Sequence, residues 1–402
     1  MKIKIHLIRV ALLLSTLNSQ LSTVFAQGSL TPPGAPAPTM KSLDQLEART
    51  IVNAANTPGN STNTFIINAP GSYYLTGNIT GASGKHGISI QTNDVTLDLN
   101  GFSIISGGGG AFRGINVLGV QKNFCIRNGT VRGWTDGGVR ADVATGVLAE
   151  NLRLSDNTGA IGLDMGDGLA RDCVANGNAT GFALGNGAQI KDCTATANGT
   201  GFSSSDRAHL NNCISTVNTG SGFNCANFVT LIDCTSSRNG NGIVVQGSCS
   251  VIHCNATKNI PSGDGILAGT GCTIADCTAD GNGTTGIDVN SGSAVQNCTA
   301  QANGLYGVTA TANCLLMGNT CDQNSSTGLQ LTGTGNRVDG NSCTANSNYG
   351  FALNGYPNLF IRNTAHGNGF NYNIGSTAAG PIVDMTAGGT ISSTSPWANF
   401  SY

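Results

Sequence analysis

A cysteine stands at positions 173, 193, 213, 234, 254, 277 and 298, at intervals of 20, 20, 21, 20, 23 and 21 residues, and an asparagine stands five residues after each, from Asn178 to Asn303. No other feature constrains the chain as much, because a fixed period requires one structural unit to recur and to meet its neighbours in the same way each time. A glycine followed by a large apolar residue opens the next segment, as in Gly181-Phe182, Gly201-Phe202, Gly222-Phe223 and Gly242-Ile243. The residue two further on is usually apolar too, as Leu184, Cys225 and Val245 are, with Ser204 the exception. Apolar residues at every second place describe a strand with one inward face, not a helix.

A single strand of this kind cannot bury its apolar row alone, so successive units must stack with their strands parallel. The expected fold is therefore all-β, a right-handed parallel β-helix of about 13 coils, some 60 Å long at ~4.8 Å per coil. Stacking converts the repeat into ladders of like on like: cysteine on cysteine, Phe182 on Phe202 on Phe223, and asparagine on asparagine. An asparagine ladder has a physical use, since each amide can donate to the next rung and satisfy turn groups that would otherwise be orphaned. The 14 cysteines would ordinarily suggest disulfides in an exported protein. On a ladder, however, neighbouring thiols point the same way from strands ~4.8 Å apart, which disfavours bridging and favours buried thiols acting as small hydrophobes.

Lys2, Lys4 and Arg9, the apolar run Val10 to Leu14, and Val24-Phe25-Ala26 read as a secretory signal over residues 1–26, cleaved after Ala26, which predicts a secreted, periplasmic or extracellular protein. Residues 27–41, with Pro32, Pro33, Pro36 and Pro38, read as an extended linker. Residues 42–80 are expected to form an N-terminal cap and the first strands, with a short helix near 42–49 begun by Ser42-Leu43-Asp44-Gln45. The coils follow over 81–380, and a C-terminal cap over 381–402. A net charge of −2 with 10% charged residues points away from nucleic acid and anionic lipid. No later run is apolar enough to span a membrane, and a monomer is expected.

The segment Pro70-Gly71-Ser72-Tyr73-Tyr74-Leu75, followed by Val95 to Gly101 and then the coils, resembles the right-handed β-helix proteins of the pectate-lyase-like superfamily, and within it a secreted bacterial group. The resemblance covers roughly residues 60 to 390. It implies the β-helix fold and a carbohydrate-associated role, although the superfamily includes lyases, hydrolases, esterases, epimerases, adhesins and phage tail parts. The Asp-Pro-His signature of alginate epimerases is absent, as are the paired aspartates and Gly-His-Gly of polygalacturonases. His86, His209, His253 and His366 read as surface residues.

Charge supplies the functional hint. Residues 113–172 hold 14 charged side chains, whereas the 230 residues from 173 to 402 hold 16. Arg127, Arg132, Asp136, Arg140 and Asp142 are the candidate catalytic residues, with Trp134 as a platform for a sugar ring and Arg153 as a further contact to substrate. Guanidinium groups hold carboxylates bidentately, which suits a uronate polysaccharide or cell-surface glycan. A lyase would use an arginine as base or aspartates to hold Ca²⁺; otherwise no cofactor is evident, and there is no zinc-type cysteine spacing. The alternative is a non-catalytic extracellular structural or adhesin-like solenoid, its charges merely solvated ion pairs. The two separate on one point: the first requires Arg127, Arg132, Arg140 and Asp136 to converge on one face.

Overall fold

The computed structural model describes residues 48–402 apart from Pro261, Ser376, Gly389 and Ser392. The expected signal sequence and the proline-rich linker lie outside the described residues; of the expected helix at 42–49 only Ala48 and Arg49 are described, and neither is helical.

The spacing of five between cysteine and asparagine has a direct geometric cause. The coil from Thr180–Leu184 continues through Gln189–Lys191 and Thr194–Thr196. Between these strands single residues enter the left-handed region: Gly187 (φ 73°), Asp192 (φ 54°) and Ala197 (φ 52°), five residues apart. Each bends the chain, and the residue directly after it, Ala188, Cys193 or Asn198, points into the interior and is 0–1% exposed. Asn and Asp tolerate this conformation at low cost. They hold the Asp192 corner on most rungs, as Asp172, Asn212, Asp233, Asp276 and Asn297.

Stacking the coils produces two parallel sheets, one of 15 strands and one of 30, the latter taking two strands from most coils and one long strand, Phe124–Arg132 or Val147–Ser155, from two of them. Register is like on like: Phe182 pairs with Phe202 and Phe202 with Phe223. Their rings stack at 5.0 and 4.8 Å, tilted by 11° and 6°. Among the described residues there is no helix, and so none long and apolar enough to cross a membrane.

The asparagine ladder forms as the repeat suggests. Asn198 Oδ1 accepts from the main-chain N and from Nδ2 of Asn178, at 2.9 and 3.0 Å, and Asn218 does the same for Asn198 at 2.8 and 3.1 Å. The cysteine ladder obeys the same rule with sulfur as acceptor. The main-chain N of Cys173 donates to Cys193 Sγ, that of Cys254 to Cys277 Sγ, and that of Cys277 to Cys298 Sγ, at 3.4 to 3.5 Å. At Asn319 this ladder changes residue without changing role: Cys298 donates to Asn319 Oδ1 at 2.9 Å, and Asn341, Asn363 and Asn399 continue it. Cysteine and asparagine are alternative answers to one demand, an inward acceptor for the amide of the preceding rung. All fourteen cysteines are free, and all but the half-buried Cys125 are buried. Burial holds the Cys225 thiol up at about 12.

The glycine before each large apolar residue is forced by this ladder. A Cβ on Gly222 would lie 2.7 Å from Asn239 Nδ2 and 2.8 Å from the carbonyl oxygen of Gly242, closer than side chains approach. The solenoid has about 17 turns, not 13. Coiling starts earlier than the cysteines do: Thr50–Ile51 already pairs with Tyr73–Tyr74, and Phe65 with Ile88. At the other end Asn399–Ser401 pairs with Ile382–Asp384 and with Thr364, extending the sheet.

Candidate functional site

The charged residues of 113–172 do not share one face. Arg127 and Arg132 lie on the strand Phe124–Arg132, and Arg153 on Val147–Ser155, all in the 30-stranded sheet. Asp98, Arg127, Glu150 and Arg171 form successive rungs there, alternating in sign. Arg127 Nε donates to Asp98 Oδ2 at 3.1 Å, and Arg171 pairs with Glu150. Asp98 is buried and also accepts from Asn128 Nδ2 and the main-chain N of Asn100. Arg132 is exposed, and Arg153 lines a shallow cleft of about 220 Å³ with Gly101, Asn128, Gly129, Thr130 and Asn151.

Trp134 is not on the surface at all. It is 1% exposed, so no sugar can stack on it. Its main-chain N donates to Asn157 Oδ1 and its indole Nε1 to the carbonyl of Ile104, at 3.0 and 3.3 Å. It takes the inward corner position that Asn157 and Asn178 take on the next rungs, and its large ring fills the wider early coils, against Gly81, Gly87 and Gly114.

The remaining candidates do come together, on the outer face of the 15-stranded sheet. Asn116, Arg140 and Asp164 are directly paired on adjacent rungs. Arg140 Nη2 holds Asp142 Oδ2 at 2.8 Å. Arg113, one coil earlier, gives Nη2 to Asp136 Oδ2 at 2.8 Å and Nη1 to Asn116 Oδ1 at 2.9 Å. Its Nε is buried and makes no hydrogen bond among the described residues. His86 Nδ1 accepts from the main-chain N of Arg113 at 3.0 Å, which leaves the ring proton on Nε2. The rings of Phe112 and His86 make a T-shaped contact, with centroids 5.3 Å apart.

This arrangement drives two neighbouring carboxyls apart. Arg140 holds Asp142 below the usual carboxylate range, chiefly through their hydrogen bond. Asp164 is pushed up to about 6, first by burial and then by the negative charge of Asp142, against the opposing pull of Arg140 and Arg113. Burial, and then the Arg113 charge, lower His86, which keeps it neutral. Two carboxyls set at different proton affinities beside fixed guanidinium groups can exchange a proton with a ligand while holding its charge. Among the described residues no group of three or more His, Cys, Asp or Glu side chains is arranged to hold a metal ion.

Arg113, His86 and Asp164 were absent from the sequence candidates. A signal for two of them exists: His86-Gly87-Ile88 and Phe112-Arg113-Gly114-Ile115 each put the charged or polar residue directly before the glycine that opens a coil. A second cavity, of about 410 Å³, lies far along the chain, lined by Arg337, Leu359, Ile361, Ala378, Ala379, Gly380 and Trp397. Beside it the buried Asp339 pairs with both Arg337 and Arg362, and Arg362 lies over the Trp397 ring at 5.6 Å.

No curated protein matches the sequence. Among solved structures the chain is similar to the A-module of the Azotobacter vinelandii mannuronan C-5 epimerase AlgE4, at 14% identity and a TM-score of 0.30, over 77% of this chain and 90% of that one. It is similar to the periplasmic alginate epimerase AlgG at 14% identity and a TM-score of 0.33, over 89% and 81%. It is similar also to the Dettilon tailspike protein at 13% and 0.34, over 82% and 61%. The family model described as "Right handed beta helix region" matches residues 63–221 and 258–395, and the chain belongs to that family.

Proposed function

We propose that the protein binds and processes an anionic polysaccharide on the outer face of the 15-stranded sheet, at the coils that carry Arg113, Arg140 and Asp164. One observation carries this reading: Asp136, Arg140, Asp142, Arg113, His86 and Asp164 converge on one face, where burial and the neighbouring charges raise the proton affinity of Asp164 and where that of Asp142 and of His86 is lowered. A rigid spacer has no need of a half-buried carboxyl that titrates near 6, because burying it destabilises the fold. Arg113 and Arg140 are suited to the carboxylates of a uronate chain, and Asp164 to giving or taking a proton at the sugar. Arg127, Arg132 and Arg153 stand on the other sheet and are outside this site.

The test is incubation of the purified protein with pectate, alginate and related uronans, with and without Ca²⁺, followed by detection of unsaturated ends, reducing ends or altered sugar configuration. Product from wild-type protein and none from Asp164→Asn supports processing at this face. Binding without product restricts the role to recognition, and neither binding nor product on any uronan would leave the non-catalytic structural solenoid.

A further inference from the structure

The outer face of the 15-stranded sheet continues far beyond the charged coils, and its far end is aromatic. The residue directly before the coil-opening glycine forms one outward column, followed rung by rung through hydrogen bonds such as Gly87 N to Arg113 O, Gly286 N to Tyr306 O and Gly328 N to Tyr349 O. It begins with His86 and Arg113, runs through Ile161, Thr180, Thr200, Ser221, Asn241, Asp264 and Thr285, and ends with Tyr306, the buried Thr327, Tyr349 and, where Asn371 replaces the glycine, Phe370. The Tyr349 and Phe370 rings lie 5.6 Å apart, and Phe370 is 64% exposed although it sits on a sheet. A neighbouring outward column carries Arg140 and Asp164 at one end and Thr309, Gln330 and Ala352 at the other. Beyond Arg140 neither column holds a lysine or arginine.

We infer that Tyr306, Tyr349 and Phe370 form a second binding platform on this face, for uncharged sugar rings of the same polysaccharide whose carboxylates meet Arg113 and Arg140. This rests on the proposed function and names its ligand further: a long chain of pyranose rings carrying both charged and uncharged units. Three features point to such an occupant. The platform is in register with the charged site, so a chain laid along the coils reaches both. The stretch between them offers hydroxyl and amide groups, and the carboxyl groups of Asp264 and Asp288 as acceptors, suited to the hydroxyls of uncharged sugars. The far end offers aromatic rings, exposed at Phe370 and half-buried at Tyr306 and Tyr349, with no lysine or arginine there in either column, suited to the apolar faces of uncharged sugars. Arg113 and Phe370 are about twelve rungs apart, about 58 Å at ~4.8 Å per rung, so only a long chain spans them.

The test compares two probes: a partly methyl-esterified galacturonan longer than ~58 Å, and an oligogalacturonate too short to reach from Arg113 to Tyr306. Phe370→Ser alone, and Tyr349→Ser with Phe370→Ser, are measured beside Arg113→Gln. The double variant is expected to bind the long chain about five- to tenfold more weakly than wild type while binding the short one unchanged. Phe370→Ser, at a side chain the fold leaves in solvent, is expected to show part of that loss. Long-chain affinity within about twofold of wild type in both variants would overturn the platform and leave the charged site standing, provided Arg113→Gln weakens both probes. Wild-type protein that binds neither probe would overturn the proposed function, and the platform with it.

Discussion

Replacing Asn218 by alanine isolates the physical claim on which the scaffold depends. Asn218 Oδ1 is the acceptor for the main-chain N of Asn198, at 2.8 Å, and its Nδ2 donates to Asn239 Oδ1 and Ser215 Oγ at 2.8 and 2.9 Å. Most of the groups it touches keep another partner after substitution. Ser215 Oγ still donates to Gly222 O, Asn198 Nδ2 still reaches Ala175 O, and Asn239 Oδ1 still receives the main-chain N of residue 218. The main-chain N of Asn198 does not, and it is buried. One orphaned buried donor costs about 1–3 kcal/mol, and the lost bonds from Nδ2 add about 0.5–1.5 kcal/mol each. Contacts in a solenoid are with neighbouring coils, so the effect should be local. Hydrogen exchange read at single amides is therefore the right assay. The Asn198 amide is expected to exchange about 5- to 150-fold faster in Asn218→Ala, the equivalent of 1–3 kcal/mol. The Asn341 amide, on a distant rung, should be unchanged. An Asn198 amide protected to within about twofold of wild type would refute the view that the side-chain ladder, and not the strands alone, satisfies the corners.

Two further outcomes follow from the same geometry. Cys298→Asn should lie within about 1 kcal/mol of wild type in unfolding free energy, because asparagine already fills that position from Asn319 onward, whereas Cys298→Ala removes the acceptor from Cys277 N and should cost about 2 kcal/mol or more; equal costs in denaturant melts would contradict the equivalence of sulfur and amide. At Asp164 the folded carboxyl titrates near 6, above the unfolded value of about 3.9, so its ionised form opposes folding above pH 6 and the penalty is relieved as pH falls towards 4. A shift of about two units corresponds to about 3 kcal/mol, which solvent screening of this half-buried group reduces to about 1–2 kcal/mol. Asp164→Asn should therefore stabilise the protein by about that much at pH 8 and by close to nothing at pH 4, and a pH-independent difference in melts would count against the assignment.

The fold was legible because one residue per corner repeats. Cys173 to Cys298 and Asn178 to Asn303 sit at the inward positions that follow left-handed residues, so their spacing of five reports a strand of three plus a bend. The number of turns was less legible, because the early coils are longer and put Gly129 and Leu152 in the column where the later ones have the ladder cysteine. Nearness in sequence misled the choice of site. Arg127 and Arg140 are 13 residues apart yet belong to different sheets, and only the glycine that opens a coil tells them apart: Arg140 follows Gly138-Val139, as Asp164 follows Gly162-Leu163. Trp134 could have been assigned to the core by period alone, since it lies 23 residues before Asn157, which lies 21 before Asn178. Asp164 gave no such sign, because its raised proton affinity arises from burial and from Asp142 on an adjacent rung, and neither is written in its local sequence.

The most direct measurement sets one sheet against the other. Arg113→Gln with Arg140→Gln neutralises the 15-stranded face, and Arg127→Gln with Arg153→Gln removes the same amount of charge from the 30-stranded face. Affinity for a uronate oligosaccharide, measured calorimetrically at fixed ionic strength, is expected to fall at least about tenfold in the first pair, from the loss of two charge-assisted contacts. It is expected to stay within about twofold of wild type in the second. Equal losses in both pairs, or a loss only in the second, would contradict a polysaccharide site built around Arg113, Arg140 and Asp164.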